Sequence, residues 1–231
     1  MNLLCFETSA KSASVALFDG SRLLGESYQN TGLTHSQTLM VMAEDLLKQC
    51  GLTAQDVTDV AVAAGPGSFT GVRIGVAAAK GFAWGAEIPC HGVSTLEAMA
   101  LGLGIYNGYI CPVMDARRNQ VYNALFYAKN GEITRIKEDR AISLEDLKAE
   151  LTALDAPIFL VGDGSIVTHK VIDFAILPPE HKQHQRATGV GLAALRQIAD
   201  GIPGDAAALA PNYLRLSQAE RERLERIEKE K

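Results

Sequence analysis

The sequence predicts an α/β protein of two consecutive lobes with one plan, in which a three-stranded meander is followed by helix, strand and helix. Three observations carry this reading. Apolar runs of strand length alternate with longer stretches of helical spacing along the 231 residues. Hairpin turns at Asp19-Gly20 and Asn130-Gly131 join the second and third strands of the respective halves. A loop with four glycines, Gly65-Pro66-Gly67-Ser68-Phe69-Thr70-Gly71-Val72-Arg73-Ile74-Gly75, joins an apolar strand-like run to an alanine-rich helical one.

In the first half, residues 3–7, 14–18 and 22–29 read as antiparallel strands. A helix over 35–50 is ended by Gly51, and strand 60–64, the glycine loop, helix 70–84 and strand 88–93 follow. Ser94-Thr95-Leu96-Glu97 is the signature of a capping box that opens a third helix. After the glycine-rich stretch 102–108 the order starts again, with strands 109–115, 120–128 and 132–137. A helix capped at Ser143 runs to about residue 154, strand 157–161 leads to the turn Gly162-Asp163-Gly164, and a last helix spans 189–199. The expected division is therefore an N-terminal lobe over 1–104, a second lobe over 105–216 and a charged tail over 217–231. In the tail, Glu222 to Arg226 and Glu225 to Lys229 have the spacing of ion pairs on a solvated helix.

With 47% hydrophobic and 21% charged residues, the composition is that of a soluble globular protein. Met1 leads straight into a strand-like run without a basic, then apolar, leader, so a cytosolic location is expected. A net charge of −5 repels phosphate backbones, so tight nucleic-acid binding by the chain alone is not expected. Cys5, Cys50, Cys90 and Cys111 have no Cys-x-x-Cys spacing and are read as free thiols.

The glycine loop meets neither nucleotide template. A Walker A loop requires Lys-Ser or Lys-Thr after its second glycine, and the dinucleotide fingerprint requires its third glycine where Thr70 stands. Gly71, Gly75, Ala78 and Gly85 place small residues close to one side of the following helix, which admits another backbone at short range. The motif is read first as a packing device.

The duplicated plan resembles the actin, sugar kinase and Hsp70 (ASKHA) superfamily, whose ribonuclease H-like lobes repeat βββαβα. Four strings resemble the bacterial TsaB family, also called YeaZ: the glycine loop, Gly92-Val93-Ser94-Thr95-Leu96-Glu97, Asp115-Ala116-Arg117-Arg118-Asn119-Gln120-Val121-Tyr122, and Pro211-Asn212-Tyr213-Leu214-Arg215. They fall in that order, and the similarity covers nearly the whole chain. The resemblance implies a non-catalytic subunit of the complex that makes N6-threonylcarbamoyladenosine in tRNA. It also implies a TsaD-like catalytic paralogue and a TsaE-like ATPase as partners, a homodimer when the chain is alone, and tRNA reached only through the complex. No cofactor is implied.

The chemistry-bearing residues agree with that absence of catalysis. His35 opens the first helix where the paralogue begins a metal-binding histidine pair, but Leu39 stands four residues on, so no metal site is expected. His169, His181 and His184 lie in a polar region broken by Pro178-Pro179 and are read as stray histidines. Ser68 has no sequence-visible base and no Gly-x-Ser-x-Gly elbow. In the superfamily, carboxylates ending the two first strands help hold a metal-bound phosphate; Glu7 and Asp115 occupy those places. The longer side chain of Glu7, and Thr8-Ser9-Ala10 in place of a glycine-threonine turn, make the pair a vestigial cleft, with weak nucleotide contact as the alternative. Arg117 and Arg118 are read as surface residues paired with acids, phosphate contact being the other reading.

The strongest positive signal is for a protein partner. The helices over 35–50 and 70–84 carry more apolar residues than one sheet can cover. The expected interface comprises Leu39, Met40, Met42, Ala43 and Leu46 on the first helix, and Gly71, Val72, Gly75, Val76 and Ala79 on the second. Gly75→Glu is expected to abolish pairing and leave a folded monomer. A small-molecule kinase using ATP and a metallopeptidase are the competing enzyme readings, and a self-contained homodimer is the third.

Overall fold

The computed structural model describes residues 1–104 and 107–215; the charged-tail expectation lies outside them. The first lobe holds five strands, β1 (Asn2–Glu7), β2 (Ala13–Asp19), β3 (Arg22–Gln29), β4 (Asp59–Gly65) and β5 (Cys90–Ser94), in the order β3-β2-β1-β4-β5. The meander is antiparallel, and β1, β4 and β5 run parallel. The second lobe holds β6 (Gly108–Arg117), β7 (Gln120–Lys129), β8 (Glu132–Ser143) and β9 (Ile158–Val161), in the order β8-β7-β6-β9. Each meander again ends with its first strand paired in parallel to the strand after the helix.

Alternation along the central strands explains their continuous apolar runs, because both faces of the first sheet are covered. Leu4, Phe6, Val15, Leu17, Val60 and Val62 face α1 (His35–Gln49) and α2 (Phe69–Ala86). Leu3, Cys5, Ala16, Phe18, Ala61 and Ala63 face the opposite side, where α6 (Ala187–Ala199) lies. Between the sheets sits α3 (Thr95–Leu103), whose Leu96, Met99 and Leu103 pack against Ile110, Met114 and Phe126 of the second sheet. The outer face of that sheet is covered by α4 (Leu144–Thr152) through Leu144, Leu147 and Leu151. Each fully buried side chain such as Phe6 or Leu147 contributes about 1.5–3 kcal/mol.

Several elements differ from the sequence reading. α6 belongs by sequence to the second lobe, yet it packs on the first sheet and on α3. Its small residues are the reason: an added Cβ at Gly189 would meet the Ala98 backbone, and one at Gly191 the Phe18 ring. The chain then returns along the first lobe, where the Asn212 amide donates to the Ala64 carbonyl (2.6 Å). α6 and the segment through Tyr213 thus lie largely against the first lobe, with Arg196 and Arg215 reaching Ile133 and Ala116 of the second. β8 continues to Ser143, because the charged run Lys137 to Arg140 lies on an edge strand where charges protect the open side. A short α5 (Ser165–His169) follows the turn after β9. At α3 only half of the capping box forms: Ser94 Oγ accepts from the Glu97 amide (3.1 Å), while the Glu97 carboxylate is drawn to Arg135 (3.0 Å).

Candidate functional site

The glycine loop seats α2 on the turn after β1. Ser68 caps the helix, its Oγ accepting from the Gly71 amide (3.3 Å), and the Ser68 amide donates to the Ser9 carbonyl (2.7 Å). A Cβ at Gly71 would collide with the Thr8 carbonyl oxygen, and one at Gly75 with Thr8 Oγ1. Close approach is thus what these glycines provide. His35 Nε2 lies 2.8 Å from the Ala10 carbonyl and ties the start of α1 to the same turn.

Beside this turn a cleft of about 540 Å³ opens between the lobes, lined among others by Ser9, Lys11, Asp115, Asp163 and Arg215. Glu7 lies beneath it and is buried; Oε1 accepts from the Ser9 amide (2.5 Å), and Oε2 has no partner among the described residues. Burial pushes its carboxyl up to about 7, the Ser9 hydrogen bonds pull it down, and Asp163 adds a further upward push. Asp163 is raised by burial against the Gln185 hydrogen bond, with Asp115 raising it further. Asp115 is exposed, and its Oδ1 accepts from the Arg117 amide (2.7 Å). Asp163 thus links the two sequence-predicted carboxylates electrostatically. Its only sequence signal was its place in the Gly162-Asp163-Gly164 turn. Among the described residues no three His, Cys, Asp or Glu side chains converge on a metal position.

The cleft mouth has two further features. Arg117, Arg118 and Asn119 adopt φ of 62°, 56° and 56°, three left-handed residues in succession. Each costs roughly 1–2 kcal/mol and persists only under external restraint. Here the Asn119 carbonyl accepts from the Leu144 amide (3.0 Å), and Arg215 Nη1 donates to the Ala116 carbonyl (2.9 Å). Across the mouth Phe69 and Tyr213 stack at 4.2 Å and 17°. Arg73 Nε donates to the Tyr213 hydroxyl (2.7 Å), with the guanidinium 4.1 Å from the Phe69 ring centre.

The second surface is the outer face of α1 and α2. Of the expected interface residues, Met40 is exposed, whereas Leu39, Met42, Ala43, Leu46, Gly71, Val72, Gly75, Val76 and Ala79 are buried in the lobe's own core. That expectation is corrected for exposure: these side chains form the faces turned to the sheet and pack in the lobe's own core. What is exposed is Met40 (43%) and Val41 (56%) on α1, the latter lining a groove with Glu26 and Ser27 of β3, and Trp84 (61%) on α2, which also exposes Ala77, Gly81 and Gly85. A Cβ at Gly81 or Gly85 would meet nothing within 4 Å. Gly75→Glu, by contrast, would drive its side chain into Thr8 and Val62 and disrupt the lobe itself.

Comparison with known proteins places this architecture. A family model described as "TsaD: tRNA N6-adenosine threonylcarbamoyltransferase" matches residues 29–222. The chain is 32% identical over 225 residues to the tRNA threonylcarbamoyladenosine biosynthesis protein TsaB of Bacillus subtilis, covering 95% of this chain and 96% of that one. It is 35% identical over 168 residues to TsaB of Escherichia coli, covering 71% and 72% of the two chains. Among solved structures, a Pseudomonas aeruginosa protein described as similar to peptidase YEAZ superposes with TM-score 0.78 at 27% identity, over 93% of this chain and 99% of that one. The component A of (R)-2-hydroxyglutaryl-CoA dehydratase from Acidaminococcus fermentans shares the fold alone, with TM-score 0.50 at 9% identity over 86% and 99%. The fold is the duplicated ribonuclease H-like fold of the ASKHA superfamily, and with TsaB relatives matched over most of its length, the chain belongs to the TsaB (YeaZ) family.

Proposed function

We propose that this chain serves tRNA N6-threonylcarbamoyladenosine synthesis as a non-catalytic partner, docking onto a TsaD-type catalytic chain through the outer faces of α1 and α2. The observation that carries the reading is that both helices expose apolar residues, Met40 and Val41 on α1 and Trp84 with the small-residue track Ala77, Gly81 and Gly85 on α2. A track of small residues lets a partner helix approach closely, and exposed methionine and tryptophan supply adaptable anchors. An interface of standard size buries about 1,600 Å² in total, which this face and its borders can contribute to. In the absence of the paralogue a second copy takes the same face, so homodimer and heterodimer compete.

A TsaE-type ATPase joins the pair, and tRNA reaches the active centre on the catalytic chain. Beneath the cleft the buried Glu7 carboxylate has one oxygen, Oε2, without a partner among the described residues, and this favours a supporting role over kinase chemistry. The test is tRNA modification by the catalytic chain and the ATPase with this chain supplied, omitted, or altered at Gly81. Loss of modification on omission and with Gly81→Arg supports the reading; modification independent of this chain, or carried out by it unaided, overturns it.

A further inference from the structure

We propose that residues 203–215, which include the string Pro211 to Arg215, form a strap that couples the docking face of α2 to the interlobe cleft, with Lys80 and Arg215 as its two end fastenings. The string stands out in the sequence, and docking through α1 and α2 leaves it unused. The coupling rests on the docking reading and adds to it a link between the partner and the setting of the two lobes.

The strap has neither helix nor strand, and Ala206 is its one buried residue. It is held by few contacts, and these fall on three parts of the molecule: α2, the first sheet and the second lobe. At the outer end Lys80 Nζ donates to the carbonyls of Leu209 (2.8 Å) and Ala207 (3.3 Å) while lying 5.3 Å from the Trp84 ring centre. In the middle the Asn212 amide donates to the carbonyl of Ala64 near the end of β4, and a Cβ at Gly65 would collide with the Asn212 carbonyl. At the inner end Tyr213 lies on the Phe69 ring, and Arg215 Nη1 donates to the Ala116 carbonyl of β6, across the cleft.

Lys80 is half-buried and belongs to both sides of this arrangement. A partner that covers Trp84 removes water from the neighbouring ammonium, and a cation with less water depends more on its remaining oxygens, here the two strap carbonyls. Docking therefore favours the fastened strap over a released one, and the fastened strap ties Ala116 to the first lobe. By linkage the converse holds, so that releasing the strap at its far end weakens docking by the same factor. A segment with so little buried surface opens locally at low cost, which makes it a two-state element rather than a rigid brace. Lys80 and Arg215 act here as positioning residues.

Hydrogen exchange of the full chain, alone and with the TsaD-type chain bound, tests the coupling. Docking should slow exchange of the amides of residues 207–215 by about fivefold or more. Lys80→Met should speed that exchange about tenfold in the free chain and remove most of the slowing on docking, while the amides of β1 stay as in the wild type, which separates release of the strap from a general loss of stability. Arg215→Met, off α1 and α2, should weaken pairing about threefold or more in calorimetric titration with a nearly unchanged melting temperature. The proposal is overturned by exchange over 207–215 that is the same with and without bound partner, by Lys80→Met behaving as the wild type in the free chain or on docking, or by Arg215→Met pairing with wild-type affinity. A wild-type chain that fails to pair at all, read by size-exclusion chromatography, would instead contradict the docking reading, and the coupling with it.

Discussion

Thr8 Oγ1 donates a 2.8 Å hydrogen bond to the carbonyl of Gly71, joining the end of β1 to the first turn of α2 across 63 positions of sequence. The bond is buried, and the glycines around it have no room for a side chain. The angle at which α2 leaves the sheet, and so the outward face it presents, is set at this contact.

Two alanine substitutions on α2 should therefore have opposite signs. Gly75→Ala forces a Cβ against Thr8 Oγ1 and should destabilise the chain by about 1–3 kcal/mol despite the better helix propensity of alanine. Gly81→Ala meets open space and should stabilise it by about 0.5–1 kcal/mol. Urea unfolding of both variants would check this; equal effects would contradict the packing assigned to the motif.

Stability should also depend on pH through Glu7. Its carboxyl is raised from 4.5 to about 7 in the folded chain, so between those values the folded state holds a proton that the unfolded state has released. Stability on this account falls as pH rises from about 4.5 to about 7, by up to about 3 kcal/mol, and is flat above. Asp163, raised in the same direction, adds to the fall. Glu7→Gln keeps an acceptor for the Ser9 amide and should be more stable than the wild type near pH 8, with the gap closing near about pH 4.5. Parallel pH profiles for the two proteins would refute the assignment.

Arg135 binds Glu97 of α3 at 3.0 Å and Asp139 at 2.7 Å, with its guanidinium 4.7 Å from the Phe126 ring centre. Replacing it by methionine leaves two half-buried carboxylates, one of them also accepting from Ser94 Oγ, without their cation. Because the group is partly solvated, the expected loss is about 1–2 kcal/mol, smaller than for a fully buried pair. Thermal unfolding at neutral pH measures it; a shift indistinguishable from zero would mean that solvent already screens the network.

Much of the fold was legible because its strongest signals are local. The β2–β3 and β7–β8 hairpins follow from Asp19-Gly20 and Asn130-Gly131, and both-sided burial of β1 and β4 follows from their unbroken apolar runs. The destination of α6 was not legible, since periodicity shows that a helix has an apolar face but not which sheet that face meets. The same limit hid which apolar residues of α1 and α2 face outward. Leu39 and Met40 are adjacent apolar residues on one helix, yet one is sealed against the sheet and the other is exposed, and only the direction of the sheet decides between them. Glu7 and Asp115 were found as strand-end acids, whereas Asp163 sits on a turn whose approach to both depends on how the lobes close.

Trp84 is the largest exposed side chain of the outer face, with Lys80 5.3 Å from its ring centre. Trp84→Ala should change the stability of the free chain by less than about 0.5 kcal/mol and weaken pairing about tenfold or more. Calorimetric titration against the TsaD-type chain separates the two effects; equal affinity would remove Trp84 from the interface.

The central claim concerns the open face of α1 and α2, and light scattering coupled to size-exclusion chromatography of Gly81→Arg mixed with the TsaD-type chain addresses it most directly. The wild type should elute as a mixed dimer and Gly81→Arg as a folded monomer beside unpaired partner. A Gly81→Arg chain that pairs as the wild type does would show that the partner docks elsewhere.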